Sequence, residues 1–430
     1  MDLKPLPLSY NRRDLTQQAK KLIASFKSRE RKTLGWLRRY HPRLPGRADT
    51  NDRNGTTDSE VRNAGLTLDE AELIIARMHQ FESRSEFARH IEELKQPGSA
   101  VRQFELAADA ITTGDVPTLK QLLRTRPELI RARSTREHHA TLLHYVGANA
   151  VESYRQKTPK NAVQIAKVLL KARAVVDADL AYSAAMQKVY PERRGSTTLG
   201  LIATSVHPAQ AGVQIDLLRT LLDAGASVNG LPGGWNPLIA ALHNGRGAAA
   251  HYLTRRGARL DLEGAAGVGR LDVVKSFFKK DGGLKARATR AQMEAGFIWA
   301  CEYGRPRVVA YLLEKGLDVT TQPHGETGLH WASYSGHFDI VESLLKRKAP
   351  VDTKDKRFEG TPLGWALYGW CDPPPESRRS SYYKVIATLV RAGAKVDPAW
   401  LDESKRGIPL AAKVQADRRM VAAMKAAHAP

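Results

Sequence analysis

The sequence predicts an all-α fold, a solenoid of stacked helix-turn-helix units, and two recurring patterns support this prediction. A polar turn followed by small and apolar residues occurs in GETGLHWASYSGHFDIVESLL (325–345) and returns in GTPLGWALYGW (360–370), with Thr327 and Thr361 34 residues apart. A nine-residue ending that starts on an apolar position also recurs six times at constant length. Such self-similarity at a fixed period is typical of repeat architectures. The endings are LLKARAVVD (169–177), LLDAGASVN (221–229), LTRRGARLD (253–261), LLEKGLDVT (312–320), LLKRKAPVD (344–352) and LVRAGAKVD (389–397).

The residues of the unit at 325–352 fit two short helices joined by a tight turn. Thr327 suits a helix N-terminus, where its hydroxyl can accept from an otherwise unpaired backbone N–H. Ala332 is small enough for two helices to approach closely, and Gly336 can adopt the positive φ that ends a short helix. The second helix carries an apolar stripe that needs a neighbouring unit to cover it, formed by Ile340, Val341, Leu344 and Leu345.

These motifs resemble the ankyrin repeat, a unit of roughly 33 residues. The similarity is closest at TGLHWASYSGHFDIVESLLKRKAPVD, and it covers Val101 to Asp397 as about eight units, the first of them atypical. The pattern as a whole resembles that of bacterial ankyrin-repeat proteins. His330 belongs to the motif and is interpreted as a turn-bonding histidine, since no partner at ligand spacing makes it a metal ligand.

Three units are longer than the others between their two helices. Thr327 and Leu344 are 17 positions apart, whereas Thr141 and Leu169, and likewise Thr361 and Leu389, are 28 apart. The additions lie near 151–162, 204–213 and 371–383, at the same point of each unit. We therefore expect them to line one edge of the solenoid, where insertions can extend a binding face. The alternative is that they are tolerated surface loops.

The remaining segments differ from the repeats in composition. Residues 1–47 contain 13 Lys and Arg against three acidic residues, a net charge of 13 − 3 = +10, and read as a basic helical arm. Residues 48–63 read as a polar linker. Residues 64–98 read as a two-helix capping segment, opened by the capping boxes Thr67–Glu70 and Ser83–Glu86. The solenoid then spans 99–398, and 399–430 is expected to form a closing helix.

Composition restricts the class of protein further. Lys and Arg outnumber Asp and Glu by 67 − 45 = 22, which favours anionic partners. Cys301 and Cys371 match no zinc or redox spacing, and no apolar run reaches the length of a membrane span. A soluble, cytoplasmic protein without membrane contact is expected. No catalytic, cofactor or metal motif is present, so the sequence predicts neither an enzyme nor a cofactor.

Aromatic residues recur at one position of three successive units. Trp299, Trp331 and Trp365 follow each other at intervals of 32 and 34 residues, with Tyr334 and Tyr368 three positions after the last two and Tyr303 close by. The ankyrin resemblance implies that this position faces the concave groove. Large rigid side chains there are candidate anchors for a protein partner. The alternative is that the tryptophans pack against one another between repeats.

Two functions remain in competition. The first is a non-catalytic protein-interaction module that binds a partner of unknown identity through the concave groove at the six aromatic residues. The second is nucleic-acid or polyanion binding through the groove aromatics and the basic arm. The location of the charge distinguishes them, because basic residues along the groove favour nucleic acid. The candidate polyanion-binding residues of the arm are Arg12, Arg13, Lys20, Lys21, Arg38 and Arg39.

Overall fold

The computed structural model describes residues 4–44 apart from 8 and 29, residues 58–181, residues 194–401 apart from 376, and residues 409–426. Over these residues the fold is all-α, as predicted, and pairing of extended segments is limited to three isolated bridges. None of the helices described is both long and apolar enough to cross a membrane. The chain divides into two compact parts, unit 1 (Met1–Ala240) and unit 2 (Ala241–Pro430).

The helices follow one another with short connections. Unit 1 contains α1 (Arg12–Lys27), α2 (Arg31–Tyr40), α3 (Asp58–Ala64), α4 (Leu68–Met78), α5 (Arg84–Lys95), α6 (Ala100–Thr113), α7 (Val116–Thr125), α8 (Ala162–Lys171), α9 (Thr198–Thr204), α10 (Val206–Gln210) and α11 (Gln214–Asp223). The division between the units falls inside α12 (Pro237–His243). Unit 2 continues with α13 (Gly247–Arg255), α14 (Leu262–Gly267), α15 (Leu271–Ser276), α16 (Arg290–Glu302), α17 (Pro306–Glu314), α18 (Gly328–Tyr334), α19 (Phe338–Lys346), α20 (Pro362–Cys371), α21 (Tyr382–Arg391), α22 (Pro409–Ala416) and α23 (Arg418–Met424). Short 3₁₀ helices span Pro127–Ile130, Leu142–Gly147, Ser153–Arg155, Arg379–Ser381 and Pro398–Trp400.

The predicted basic arm forms the helices α1 and α2, and its residues 1–3 and 45–47 lie outside the described residues. The apolar side of α1, with Leu15, Ala19 and Leu22, is buried in a core that also contains residues of α2, α4 and α5. The two capping boxes predicted at Thr67 and Ser83 are both formed, and they start α4 and α5. Burial of one face of α1 leaves its charged face to solvent.

The predicted linker is only partly described. Its residues 48–57 lie outside the described residues, whereas 58–63 form most of α3. Val61 of α3 is fully buried in the N-terminal core, and this apolar contact stabilises a helix where the polar sequence predicted none.

The repeats form by the local interactions that the sequence predicts. The hydroxyl of Thr327 accepts from the backbone N–H of His330, and the ring of His330 in turn bonds the backbone N–H of Thr327. The other ring nitrogen of His330 lies 3.1 Å from the carbonyl oxygen of Gly360 in the next unit. His144 makes the equivalent pair of contacts with Thr141 and Ala178. The interpretation of His330 as a turn-bonding residue is confirmed, and Gly336 has the expected positive φ of 71°.

Unit 2 arranges its repeats in two layers. The first helices of successive repeats pack side by side as α14, α16, α18 and α20, and the second helices pack as α15, α17, α19 and α21. The second layer is amphipathic, with Ile340, Val341 and Leu344 of α19 buried, as the apolar stripe predicts. This arrangement brings equivalent positions of neighbouring first helices into contact.

Side chains at the start of several second helices bond carbonyl groups at the end of the first helix of the preceding repeat. In unit 2, Arg305, His337 and Tyr382 reach the carbonyl oxygens of Gly267, Glu302 and Tyr334 at 3.2, 2.8 and 2.6 Å. Helix C-termini leave carbonyl groups without intrahelical partners, so these bonds satisfy them while fixing one repeat on the next. In unit 1, the Asn161 amide donates in the same way to the carbonyl oxygen of Gly114.

The three insertions contact the turn of the repeat before them. In the first insertion, the side-chain amide of Asn161 donates to the carbonyl oxygen of Gly114. In the second, the hydroxyl of Ser205 donates to the carbonyl oxygen of Ala148. In the third, the backbone N–H of Arg378 donates to the carbonyl oxygen of Ser335. Each insertion therefore lies at the turn end of its repeat within its own unit. The first is not a surface loop, because its residues Glu152 and Arg155 are buried.

The C-terminal segment forms two short helices where one closing helix was predicted. Asp417 separates α22 from α23, and its carboxylate accepts from the backbone N–H groups of Arg419 and Met420. The same carboxylate accepts from the hydroxyl of Tyr383 at 2.7 Å. Met420 and Met424 are buried on the side of α23 that packs against α21. The capping bond at Asp417 starts a new helix and so interrupts the predicted one.

Candidate functional site

Four aromatic side chains form a contiguous surface on α18 and α20, which we call the aromatic row: Trp331, Tyr334, Trp365 and Tyr368. The ring centroids of Trp331 and Trp365 are 5.1 Å apart, in an edge-to-face arrangement. Tyr334 lies edge-to-face against both indoles, at 5.9 and 5.8 Å, and stacks on Tyr368 at 6.0 Å. These separations and angles are those that aromatic pairs prefer.

The row reaches solvent. Tyr368 is 60% exposed, and the other three rings are half-buried. Neither Trp331 nor Trp365 is enclosed in the core, so packing between repeats covers only part of each ring. The indole N–H of Trp365 donates to the Asp355 carboxylate at 3.1 Å, whereas the indole nitrogen of Trp331 is shielded from water and has no acceptor among the described residues. A shielded donor without an acceptor is uncommon in folded proteins.

Trp299 and Tyr303 do not belong to the exposed surface, which corrects their prediction as groove residues. Trp299 is only 4% exposed, because the imidazoles of His243 and His324 cover its ring at centroid distances of 4.5 and 5.4 Å. Its N–H donates to the Glu263 carboxylate at 2.9 Å. Tyr303 is 5% exposed, and its hydroxyl donates to the carbonyl oxygen of Leu242. The ring of Trp299 still packs edge-to-face against that of Trp331, with the ring centroids 6.4 Å apart.

The two helices that carry the row have no charged residue, and carboxylates lie near it. Neither α18 nor α20 contains a Lys, Arg, Asp or Glu. Burial raises the pKa of Tyr334, and Tyr368 together with the carboxylates of Asp372 and Glu302 raises it further. Basic residues occur on the second helices instead, for example Lys346 on α19 and Lys384 on α21. The helices that carry the row therefore place no basic side chain of their own along it.

The candidate polyanion-binding residues lie on the N-terminal helices of unit 1. Arg12, Arg13, Lys20 and Lys21 of α1 are exposed, whereas Leu15, Ala19 and Leu22 of the same helix are buried. On α2, Arg39 is exposed and its guanidinium lies over the ring of Tyr40, whereas Arg38 is half-buried. Because α1 packs into a core, these charges form a surface stripe on a folded element.

A buried charged cluster in unit 1 was missed by the sequence analysis. Arg136 donates to both Glu105 and Glu152, and Arg155 donates to Glu105 at 2.7 Å and to Asp109 at 2.7 Å. Arg136, Glu152 and Arg155 are at most 3% exposed. Glu152 and Arg155 belong to the insertion at 151–162, whose charged sequence is typical of an exposed loop. The only sequence signal is the spacing of Glu152 and Arg155, which places both on one turn.

The cluster keeps its groups ionised by mutual pairing. Burial alone raises the pKa of Glu152, but the neighbouring Arg136 and Arg155 outweigh burial and hold that pKa well below its usual value. The pKa of Arg136 is raised for the matching reason, since Glu105 and Glu152 outweigh its burial. Such a network, tied to three chain segments, fixes the insertion to the first repeat.

Other chemistry is sparse in the described residues. Over that part of the chain, no group of three or more His, Cys, Asp or Glu side chains could hold a metal ion. Cys301 is buried, and burial raises the pKa of its thiol well above the usual value, which disfavours a nucleophilic thiolate.

Family models match two segments of the chain. A model described as "Ankyrin repeats (3 copies)" matches residues 262–355, and one described as "Ankyrin repeats (many copies)" matches residues 214–254. The first match contains Trp331 and Tyr334 of the aromatic row. The second match falls on α11 to α13.

Similar proteins share limited segments with this chain. It is 34% identical over 99 residues to palmitoyltransferase Hip14 of Drosophila melanogaster, covering 23% of this chain and 14% of that protein. It is 24% identical over 307 residues to the ankyrin repeat and KH domain-containing protein mask-1 of Caenorhabditis elegans, covering 59% and 12%. It is 46% identical over 56 residues to human ankyrin repeat domain-containing protein 49, covering 13% and 23%. The chain therefore spans less than a quarter of the length of these relatives.

Among solved structures, the human ASB11 ankyrin repeat domain is similar over 68% of this chain and 99% of its own, with 18% identity and a TM-score of 0.33.

Proposed function

We propose that this chain, which belongs to the ankyrin-repeat proteins, is a non-catalytic module that holds a protein partner in its groove on the aromatic row. The observation that carries the proposal is the row itself, four adjoining rings of which the outermost, Tyr368, is 60% exposed. Contiguous exposed apolar surface usually marks an interaction site. Ankyrin repeats are generally protein-interaction modules, which supports the same reading.

The rings suit an interface for a second reason. Tyr and Trp provide a large contact area while losing little conformational entropy on binding, and they are enriched among residues that dominate binding energy. Edge-to-face contacts with Trp299, Tyr334 and Trp365 already restrict the ring of Trp331. A partner would therefore meet a surface that is largely ordered before binding.

A comparison of captured proteins tests this proposal. Wild-type protein, a Trp331→Ala, Tyr368→Ala double variant and a Trp235→Ala, Phe358→Ala control are each used as bait in nuclease-treated lysate. Trp235 and Phe358 are 43% and 69% exposed and lie outside the row, so they match the removed apolar surface. We expect a partner retained by the wild type and the control and lost from the double variant. Equal retention by all three would contradict the proposal.

Polyanion binding through α1 is a second candidate, supported by the exposed stripe of Arg12, Arg13, Lys20 and Lys21. Four adjoining charges could release several counterions, so binding would weaken steeply with salt. Because α1 contributes to the N-terminal core, deleting it would expose apolar surface, and substitution is the cleaner test. The four residues are changed to Gln and compared on heparin with a control set of exposed residues, Lys120, Arg124, Lys167 and Lys171. Earlier elution of only the α1 variant supports this candidate, and equal elution of both variants contradicts it.

A further inference from the structure

We propose that the aromatic row binds an arginine or lysine side chain of a basic peptide segment in the partner. This inference rests on the proposed function, and it adds the chemistry of the partner. The rings would supply cation–π contacts, and the exposed carboxylate of Asp372 would supply complementary charge.

The first observation concerns which aromatic rings of unit 2 carry a cation. Lys or Arg side chains lie over six rings of this unit within 6 Å of the centroid: Tyr252, Phe277, Phe278, Tyr311, Phe358 and Tyr383. Among the described residues, none lies over Trp331, Tyr334, Trp365 or Tyr368. In a chain with 67 Lys and Arg, the largest group of adjoining rings in the unit is thus free of internal cations. Tryptophan is the ring that attracts cations most strongly.

The second observation concerns charge around the row. Asp372 directly follows α20 and is exposed, and its backbone N–H donates to the carbonyl oxygen of Tyr368 at 2.9 Å. The helices α18 and α20 contain no basic residue, and the Lys413 ammonium lies 3.5 Å from the carbonyl oxygen of Cys371 at the end of α20. The exposed Asp372 carboxylate would favour an incoming cation over a phosphate group at this end of the row. This favours a basic peptide over nucleic acid as the occupant.

The third observation is the shielded indole N–H of Trp331. It has no acceptor among the described residues, although the equivalent group of Trp365 bonds Asp355 and that of Trp299 bonds Glu263. Because this nitrogen is shielded, the part of the Trp331 side chain that a partner can reach is carbon. The row therefore offers aromatic carbon surface to a cationic side chain, beside the exposed carboxylate of Asp372.

A selection from random peptides tests the inference. A library of random 12-residue peptides displayed on phage is selected on the wild-type protein, and each enriched peptide is measured against the Trp331→Ala, Tyr368→Ala double variant. We expect the peptides that depend on the row to share an Arg or Lys at a fixed position. Replacing that residue by Gln in the peptide should weaken binding about 10-fold.

Two further variants test the charge. Asp372→Asn should weaken the same peptides several-fold, and 0.5 M salt should reduce that difference. The matched control Glu314→Gln removes an exposed carboxylate on α17, away from the row, and should leave binding unchanged. Equal effects of the two variants would contradict the proposed role of Asp372.

The outcomes separate the two proposals. Row-dependent peptides without a shared basic residue would overturn the cation inference and leave the docking surface standing. Peptides that all bind the double variant as tightly as the wild type would overturn the docking surface and the cation inference together. Row-dependent binding of a single-stranded 12-nucleotide DNA, tighter than that of any basic peptide, would overturn the peptide in favour of nucleic acid.

Discussion

Substitution of Tyr368 should distinguish an effect on partner binding from an effect on stability most clearly. Its ring is 60% exposed and stacks on Tyr334 at 6.0 Å, so it adds surface to the row without filling the core. Most interface energy is concentrated in a few such side chains. Removal of an exposed side chain, by contrast, usually changes the free energy of unfolding by no more than about 0.5 kcal/mol.

Tyr368→Ala is therefore expected to weaken partner or peptide binding by about 2 kcal/mol, roughly 30-fold, with little change in stability. Titration of a row-dependent peptide and urea denaturation measure the two quantities. Phe358→Ala serves as the control, because Phe358 is 69% exposed and lies off the row. Unchanged affinity for Tyr368→Ala, or a loss of stability above about 2 kcal/mol, would count against the assigned role.

His337 lies at a junction between two repeats, and the fold lowers the pKa of its imidazole. Burial lowers its pKa to about 4, and a hydrogen bond to the carbonyl oxygen of Glu302 offsets only part of that effect. The second ring nitrogen, Nδ1, is buried and has no partner among the described residues, so a proton added there would be unsatisfied. The unfolded chain binds that proton near pH 6.5, which means that acid favours unfolding.

We predict that His337 makes the protein less stable as the pH falls from about 6.5 to about 4, by at most about 1.4 kcal/mol per pH unit. His337→Gln keeps a donor for the Glu302 carbonyl group and removes the titration. Urea midpoints at pH 7, 5.5 and 4.5 should converge for the two proteins in the acidic range. Parallel pH dependence of wild type and variant would show that His337 is not the group responsible.

At the scale of the element, the insertion at 151–162 behaves as part of the core. Its Glu152 and Arg155 join Glu105 of α6 and Arg136 in the buried cluster. Removing one member leaves a buried charge without its partner, which usually costs several kcal/mol. Exposed pairs are worth far less, because water screens them.

Glu152→Gln is expected to destabilise unit 1 by roughly 3–5 kcal/mol, because Arg136 then loses one of its two carboxylate partners. The control Glu128→Gln alters an exposed pair with Arg126 at 3.7 Å and should cost less than about 1 kcal/mol. Chemical denaturation of both variants measures the difference. Equal free energies of unfolding would mean that the cluster does not hold the insertion in place.

Local elements of the fold were predictable from sequence because their causes are local. Thr327 and His330 are three residues apart, and the nine-residue ending that starts at Leu344 keeps its length in six units, so the repeat can be read from spacing alone. The enclosure of Trp299 was not predictable, because His243 and His324 belong to segments that only folding brings together. The buried cluster was missed for the same reason, since Glu105 and Arg155 are separated by 50 positions.

At the scale of the whole molecule, the net charge of +22 does not identify the binding surface. The exposed basic stripe belongs to α1 in unit 1, whereas the aromatic row lies on two uncharged helices in unit 2. A sequence-wide total hides this separation, because it adds the basic residues of α1 and of the second helices to α18 and α20, which carry none. Salt should therefore affect a polyanion on α1 far more than apolar contacts on the row.

The central claim is that the aromatic row holds the partner, and affinity for one row-selected peptide measures this most directly. Dissociation constants are determined for the wild type, the Trp331→Ala, Tyr368→Ala double variant and the Trp235→Ala, Phe358→Ala control, with thermal melts to show that all three are folded. We predict at least about 100-fold weaker binding for the double variant and no change for the control, since each anchor contributes about 2 kcal/mol. A folded double variant that binds as tightly as the wild type would contradict the claim.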